Sequence, residues 1–200
     1  ELPAKAGVAA AVDGGHATRH PGLTDKRAGP TVFRLSGRDG TQGTAAARYI
    51  AGTFAGKAIA VVHDRTLYAK TIAEQALETL KAAKIETMSA TVVGGDKEYK
   101  RLIAKIKGAG VVFYAGFPLE AGFILQALRG AGSDARFIVS DSVATAEFTQ
   151  SFAASVKGVM TLLPHVAKAD AAAGAALDGD AALAHAAIDI YASALGRAAS

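Results

Sequence analysis

Cysteine is absent from this 200-residue chain, which excludes a disulfide framework and any mechanism that uses a thiol as nucleophile. No run of about 18 apolar residues occurs, so no segment reads as a membrane-spanning helix. Aromatic residues are scarce at 6%, and charge is nearly balanced, with 22 Lys and Arg against 18 Asp and Glu. The basic residues are scattered along helical segments, which reads as solvated surface and argues against a nucleic-acid partner. The N-terminal ELPAKAGVAAAV has no basic segment followed by a long apolar core and does not read as a signal peptide. A processed secreted chain would look the same.

Catalytic signatures are also missing. There is no G-x-S-x-G elbow, no H-E-x-x-H and no G-x-G-x-x-G after a strand. Gly52–Lys57 imitates a phosphate-binding loop, but it is one residue short and sits at a helix end. His16 and His20 have the i, i+4 spacing of a metal pair, yet the flanking Gly and Pro favour a solvated loop over a helix. The expectation is a protein without catalytic residues, cofactor or metal.

Half of the residues are apolar, enough for a substantial core. After residue 31 strand-like and helix-like segments alternate. Strands are expected at Thr31–Leu35, Ala58–His63, Glu86–Val93, Gly110–Gly116, Arg136–Ser140 and Gly158–Leu163. Helices are expected at Thr41–Phe54, Tyr68–Lys84, Lys97–Gly108, Glu120–Gly130 and Thr145–Ala154. In the second of these, Ile72, Ala76, Leu80 and Ala83 share one face, with Lys70, Glu74, Glu78 and Lys81 mostly opposite. Runs such as IAVV and VVFYAG are apolar at consecutive positions, as in parallel strands covered on both faces. Strict alternation with short connections predicts an α/β fold, a doubly wound parallel sheet of Rossmann-like type. At the ends lie a candidate strand at Val8–Val12, a low-complexity Ala/Gly/Asp stretch at Ala167–Asp180, and a helix at Ala181–Arg197 with an apolar stripe.

In an open parallel sheet, ligands bind beyond the carboxyl ends of the strands. The residues that fall there are Asp64 and Tyr68; Ala115, Gly116 and Phe117; and Ser140, Asp141 and Ser142. A carboxylate suits a ligand ammonium, and aromatic walls suit an apolar side chain. Each residue also has a plain structural reading. Tyr68 can begin its helix by packing on the sheet, Phe117 can be core, and Asp141-Ser142 can be a helix N-cap. Asp39 reads equally as a cap for the helix from Thr41.

The stretch FRLSGRDGTQG, followed by a strand ending in His63-Asp64 and then Tyr68, resembles the type I periplasmic solute-binding proteins of ABC importers, in their branched-chain amino-acid branch. The resemblance covers nearly the whole chain. It implies a lobe of that fold at about 36–164, a first-lobe remnant with the crossing strand at 1–35, and a linker with a helix that packs on the first lobe at 165–200. The βα units that normally open the first lobe have no counterpart here. The resemblance places the ligand against Tyr68, Phe117 and Asp141, with Asp141 on the α-ammonium group. Thr18 matches a first-lobe hydroxyl if one residue is inserted, and Asp39 matches an aspartate at the cleft floor. Phe117 stands where the family has a tyrosine, so the wall is more apolar and would also suit an aromatic acid.

In functional terms the resemblance implies a non-catalytic solute-binding component. Its ligand would be a small carboxylate-bearing solute, its partner a membrane permease and its location the periplasm. The alternatives are a ligand-sensing regulatory module of the same fold, and a lobe that pairs with a second copy, as a homodimer, without binding ligand.

Overall fold

A computed structural model describes residues 19, 21–26, 33–95, 99–163 and 179–198. The chain divides into two compact units, one of Asp39–Pro164 and one drawn from Glu1–Arg38 and His165–Ser200.

In the smaller unit, helix α1 (Gly22–Asp25) is a single turn. The Arg34 guanidinium spans it, donating to the Arg19 carbonyl at 2.8 Å and to Thr24 Oγ1 at 2.6 Å. Arg38 pairs with Asp25. The strand expected at Thr31–Leu35 is not seen over residues 33–35, which make no sheet pairing. Phe33 stays 56% exposed and Leu35 44%. An apolar run becomes a strand only where a neighbouring strand offers its own donors and acceptors. The expected strand at Val8–Val12 lies outside the described residues. The C-terminal helix expected at Ala181–Arg197 falls within Gly179–Ala198.

The larger unit is the doubly wound sheet. Helix α2 (Asp39–Thr53) leads into β1 (Ile59–His63), α3 (Leu67–Ala82), β2 (Thr87–Thr91), α4 (Lys100–Lys105) and β3 (Val111–Ala115). Then come α5 (Pro118–Gly130), β4 (Arg136–Val139), a 3-10 turn (Asp141–Val143), α6 (Ala146–Ser151) and β5 (Met160–Thr161). The strands are all parallel, in the order β2-β1-β3-β4-β5. Alternate strand residues feed two cores. Ile59, Val61, Val111, Phe113 and Ile138 pack against the small-residue faces of α2 and α3. Ala60, Val62, Val112, Tyr114, Phe137 and Val139 pack against Tyr99, Leu102, Ile124, Leu125, Leu128 and Phe148 on the opposite side. Burial on both faces explains the consecutive apolar runs in the sequence.

Element boundaries shrink towards the sheet edge. The strand expected at Gly158–Leu163 pairs only at Met160–Thr161, where β4 alone is its neighbour. Helix α6 starts at Ala146 because the Thr145 hydroxyl accepts the Phe148 N–H at 3.1 Å. The direction of winding across the sheet reverses between β1 and β3, from which successive strands are added outward on opposite sides. The carboxyl ends of these strands form the topological switch point.

Candidate functional site

Three loops at the carboxyl ends of β1, β3 and β4 converge. In the first, Asp64 Oδ1 accepts both the Thr66 N–H at 3.0 Å and the Thr66 hydroxyl at 2.7 Å. Thr66 in turn N-caps α3 by accepting from the Ala69 N–H. This fixes the first turn of α3, which carries Tyr68. Arg65 adopts a left-handed backbone (φ 70°), and its N–H donates to His63 Nδ1 at 3.1 Å.

In the second loop, Gly116 is required by its neighbours. A Cβ there would stand 2.2 Å from Tyr114 Oη and 2.8 Å from Asp64 Oδ2. Tyr114 is fully buried, and burial together with the nearby Asp64 and Glu120 carboxylates raises its phenol pKa. The next residue, Phe117, leaves 45% of its surface open. Pro118 then begins α5 at the position where its missing N–H costs nothing.

In the third loop, Ser140 is buried and Asp141-Ser142 form the 3-10 turn. Ser140 Oγ accepts from the Gly116 N–H at 3.2 Å and lies 3.2 Å from the Gly116 carbonyl. Ser142 Oγ donates to that same carbonyl at 2.5 Å. The two serines thereby tie the β4 loop to the β3 loop.

Tyr68 closes the cluster. Its phenol donates to Asp141 Oδ1 at 2.5 Å and lies 3.1 Å from Ser142 Oγ. Asp141 Oδ1 also accepts the Ser142 N–H at 3.0 Å. The Tyr68 ring meets the Phe117 ring at 5.9 Å between centroids, tilted by 40°. Burial, then the hydrogen bond and charge of Asp141, raise the Tyr68 phenol pKa, so the group is a neutral donor at physiological pH.

Of the residues singled out from sequence, Tyr68, Phe117 and Asp141 come together here. Asp39 is buried in the first turn of α2, a separate element from those carrying the trio. Thr18 lies outside the described residues. Sequence reasoning placed Ser140 and Ser142 in the right loop without giving them a role. The signal for them was the Ser-Asp-Ser string directly after a buried strand. Tyr114 gave no signal of its own, since a tyrosine in VVFYA reads as core. Among the described residues no cluster of three or more His, Asp or Glu could hold a metal. No described helix is long and apolar enough to cross a membrane.

His63 makes the loop pH-sensitive. Desolvation lowers its pKa below 6.5, opposed mainly by Asp64 and Glu74. The unfolded chain therefore binds more protons between that lowered value and about 6.5, so stability rises with pH through this window and falls as the medium is acidified. Protonating Nδ1 also removes the acceptor for the Arg65 N–H. We expect the melting temperature to drop between pH 7 and 5.5. His63→Asn, which keeps an acceptor near the Nδ1 position without titrating, should flatten that drop in a pH series of melts. An unchanged slope in the variant would assign the drop to other groups.

The parallel sheet, its strand order and its loop cluster define a type I periplasmic-binding-protein fold. The chain superposes on a leucine binding protein from Thermotoga maritima with a TM-score of 0.68 at 18% identity, over 84% of this chain and 52% of that one. It also superposes on a branched-chain amino acid transporter substrate binding protein from Streptococcus pneumoniae, solved with isoleucine, with a TM-score of 0.60 at 25% identity over 77% and 48%. The profile of the family described as periplasmic binding protein matches residues 4–200, and the chain belongs to that family. Among curated proteins it is 34% identical over 142 residues to a leucine-, isoleucine-, valine-, threonine- and alanine-binding protein of Pseudomonas aeruginosa, covering 70% of this chain and 38% of that protein. It is 37% identical over 132 residues to Leu/Ile/Val-binding protein homolog 1 of Brucella abortus, covering 64% and 36%. The chain thus spans less than two fifths of the length of these relatives.

Proposed function

We propose that this chain forms part of the solute-binding component of an ABC importer and captures a small amino acid with an apolar side chain in the periplasm, for delivery to a membrane permease. The observation that carries this reading is the Tyr68–Asp141–Ser142 cluster beside the open Phe117 ring. Asp141 supplies a charged acceptor for an α-ammonium group. Tyr68 and Phe117 supply the apolar wall for a side chain. In this reading residues 36–164 act as one lobe of a two-lobed binder. By the family resemblance Asp39 and Thr18 are weaker candidates for ligand contact, and the ligand carboxylate is held by groups other than this cluster.

The kinship with leucine-, isoleucine- and valine-binding proteins supports a branched aliphatic ligand. The exposed Phe117 ring, tilted against Tyr68, also favours a flat apolar side chain. Calorimetric titration with L-leucine, L-isoleucine and L-phenylalanine tests both ligand classes. We expect one to bind, and Asp141→Ala to weaken it by about a hundredfold, as when one partner of a buried charge pair is removed. Absence of binding by all three to the wild-type chain would count against the reading. Wild-type affinity in Asp141→Ala would remove Asp141 from the site.

A further inference from the structure

The hydroxyl cluster has more oxygen contacts than protons. Five oxygen–oxygen contacts of 3.2 Å or less join its members: Tyr68 to Asp141 and to Ser142, Ser142 to the Gly116 carbonyl, and Ser140 to that carbonyl and to Ser142. Only three hydroxyl protons, one each from Tyr68, Ser140 and Ser142, serve them. The short contacts, both 2.5 Å, take two of these: Tyr68 donates to Asp141 and Ser142 donates to Gly116. The Tyr68–Ser142 contact at 3.1 Å then holds no proton, because both hydrogens point elsewhere. It is a hydrogen bond in waiting.

The lone pairs of Asp141 Oδ1 are likewise committed. That atom accepts the Tyr68 phenol and the Ser142 N–H. An ammonium group reaching Oδ1 competes with both for those lone pairs. The Ser142 N–H is fixed by the backbone, whereas the phenol proton needs only a rotation about its C–O bond. Ser142 Oγ, still donating to the Gly116 carbonyl, has lone pairs free to receive it. A neutral phenol forced off its acceptor in a half-buried site, with nowhere else to donate, would oppose binding by the cost of an unmade hydrogen bond.

We propose that Ser142 is a positioning residue whose hydroxyl serves as the alternate acceptor for the Tyr68 phenol proton, taken up when a ligand ammonium claims Asp141. This deepens the amino-acid reading above and rests on it for the identity of the incoming group. The proton shift itself is a property of the loop cluster. Ser142 thereby lets one carboxylate be held in place by Tyr68 in the empty site and yet be surrendered at little cost in the filled one.

Two measurements on the full chain test it. The first needs no ligand. Asp141→Ala removes the primary acceptor, as ligand capture would. In that background the Tyr68→Phe and Ser142→Ala changes should couple by about 2–4 °C in melting temperature, the size of one hydrogen bond in a chain of this length. With Asp141 present they should be nearly additive. Additivity in both backgrounds overturns the proposal. The second measurement uses L-isoleucine as the probe. Ser142→Ala should weaken its binding roughly five- to tenfold, and Ser142→Thr, which keeps the hydroxyl, should restore most of the loss. In the Tyr68→Phe chain Ser142→Ala should cost distinctly less, only what its bond to the Gly116 carbonyl contributes, because no phenol proton is left to rehouse. An equal loss with and without the Tyr68 hydroxyl shows a merely structural serine and overturns the proposal. If the wild-type chain does not bind L-isoleucine, the functional reading suffers, while the melting cycle still decides the proton shift on its own.

Discussion

Replacing Gly43 with alanine lowers the melting temperature of this chain by about 5–10 °C, corresponding to a net loss of about 2–3 kcal/mol. Gly43 lies on the buried face of α2 with Gly40, Ala46, Ala47 and Ile50. That face meets α3 through Ala69, Ile72, Ala73 and Ala76. Small residues on both helices bring the two backbones close. A Cβ at Gly43 would stand 2.0 Å from the Ile72 carbonyl oxygen and 3.1 Å from the Ala76 nitrogen. Both obstacles are backbone atoms inside a regular helix, so neither can swing aside as a flexible side chain could. The helices must move apart, and the core they share with Ile59, Val61 and Phe113 loosens with them.

Alanine is otherwise favoured over glycine in a helix by about 0.5–1 kcal/mol, a gain that the clash must first cancel. The same helix contains a control. Gly52 has nothing within 4 Å of the position a Cβ would take. Gly52→Ala should therefore raise the melting temperature by about 1–3 °C. Opposite signs for one chemical change, nine positions apart in one helix, would show that interhelical contact decides the outcome. If Gly43→Ala melts like Gly52→Ala, the close approach of α2 to α3 is wrong.

That pair of glycines also marks what could be read in the sequence. Gly43 and Gly52 look alike in the string DGTQGTAAARYIAGT, since the distance to the next helix is a tertiary fact. The strands were legible for the opposite reason. A parallel strand buried on both faces must be apolar at consecutive positions, and IAVV and VVFYA satisfy that. The helices between them were legible because their exposed and buried faces alternate with the helical period. Phe33 and Leu35 misled because no described strand pairs with them, which no local pattern records. At the site, the loop positions of Tyr68, Phe117 and Asp141 followed from one topological rule, that loops at carboxyl ends of parallel strands converge, and their choice among the loop residues from the family resemblance. The roles of Ser140 and Ser142 did not follow. They depend on two serines, 24 and 26 residues beyond Gly116, meeting its carbonyl. Serine is frequent enough in turns that its presence after a strand says little until the distance is known.

Gly116→Ala separates the site from the fold. Its Cβ would lie 2.2 Å from Tyr114 Oη and 2.5 Å from Tyr114 Cζ. The Tyr114 ring has no room to retreat, being fully buried and stacked on Phe137 at 6.3 Å with a 12° interplanar angle. Movement therefore falls on the β3–α5 turn, which carries the Gly116 carbonyl and Phe117. When that turn shifts, the carbonyl leaves the Ser140 and Ser142 hydroxyls, and the Phe117 ring leaves its station beside Tyr68. We expect a fall in melting temperature of about 5 °C or more, comparable with Gly43→Ala. The two variants should part company in binding. Measured well below either melting transition, Gly43→Ala should lose only a few-fold in affinity for an amino acid, because its clash falls on α3 at Ile72, one turn past Tyr68, and leaves the Gly116 turn and the Asp141 loop untouched. Gly116→Ala loses roughly thirtyfold, about 2 kcal/mol, from the displaced wall and the broken carbonyl bonds. Tyr114→Phe does not rescue it, because the ring carbon at 2.5 Å remains after the oxygen is gone. Wild-type affinity in folded Gly116→Ala would mean that the Phe117 wall and the serine-held carbonyl play no part in binding. Equal losses in both variants would mean that affinity merely tracks stability, and the site would have to be sought elsewhere on the sheet.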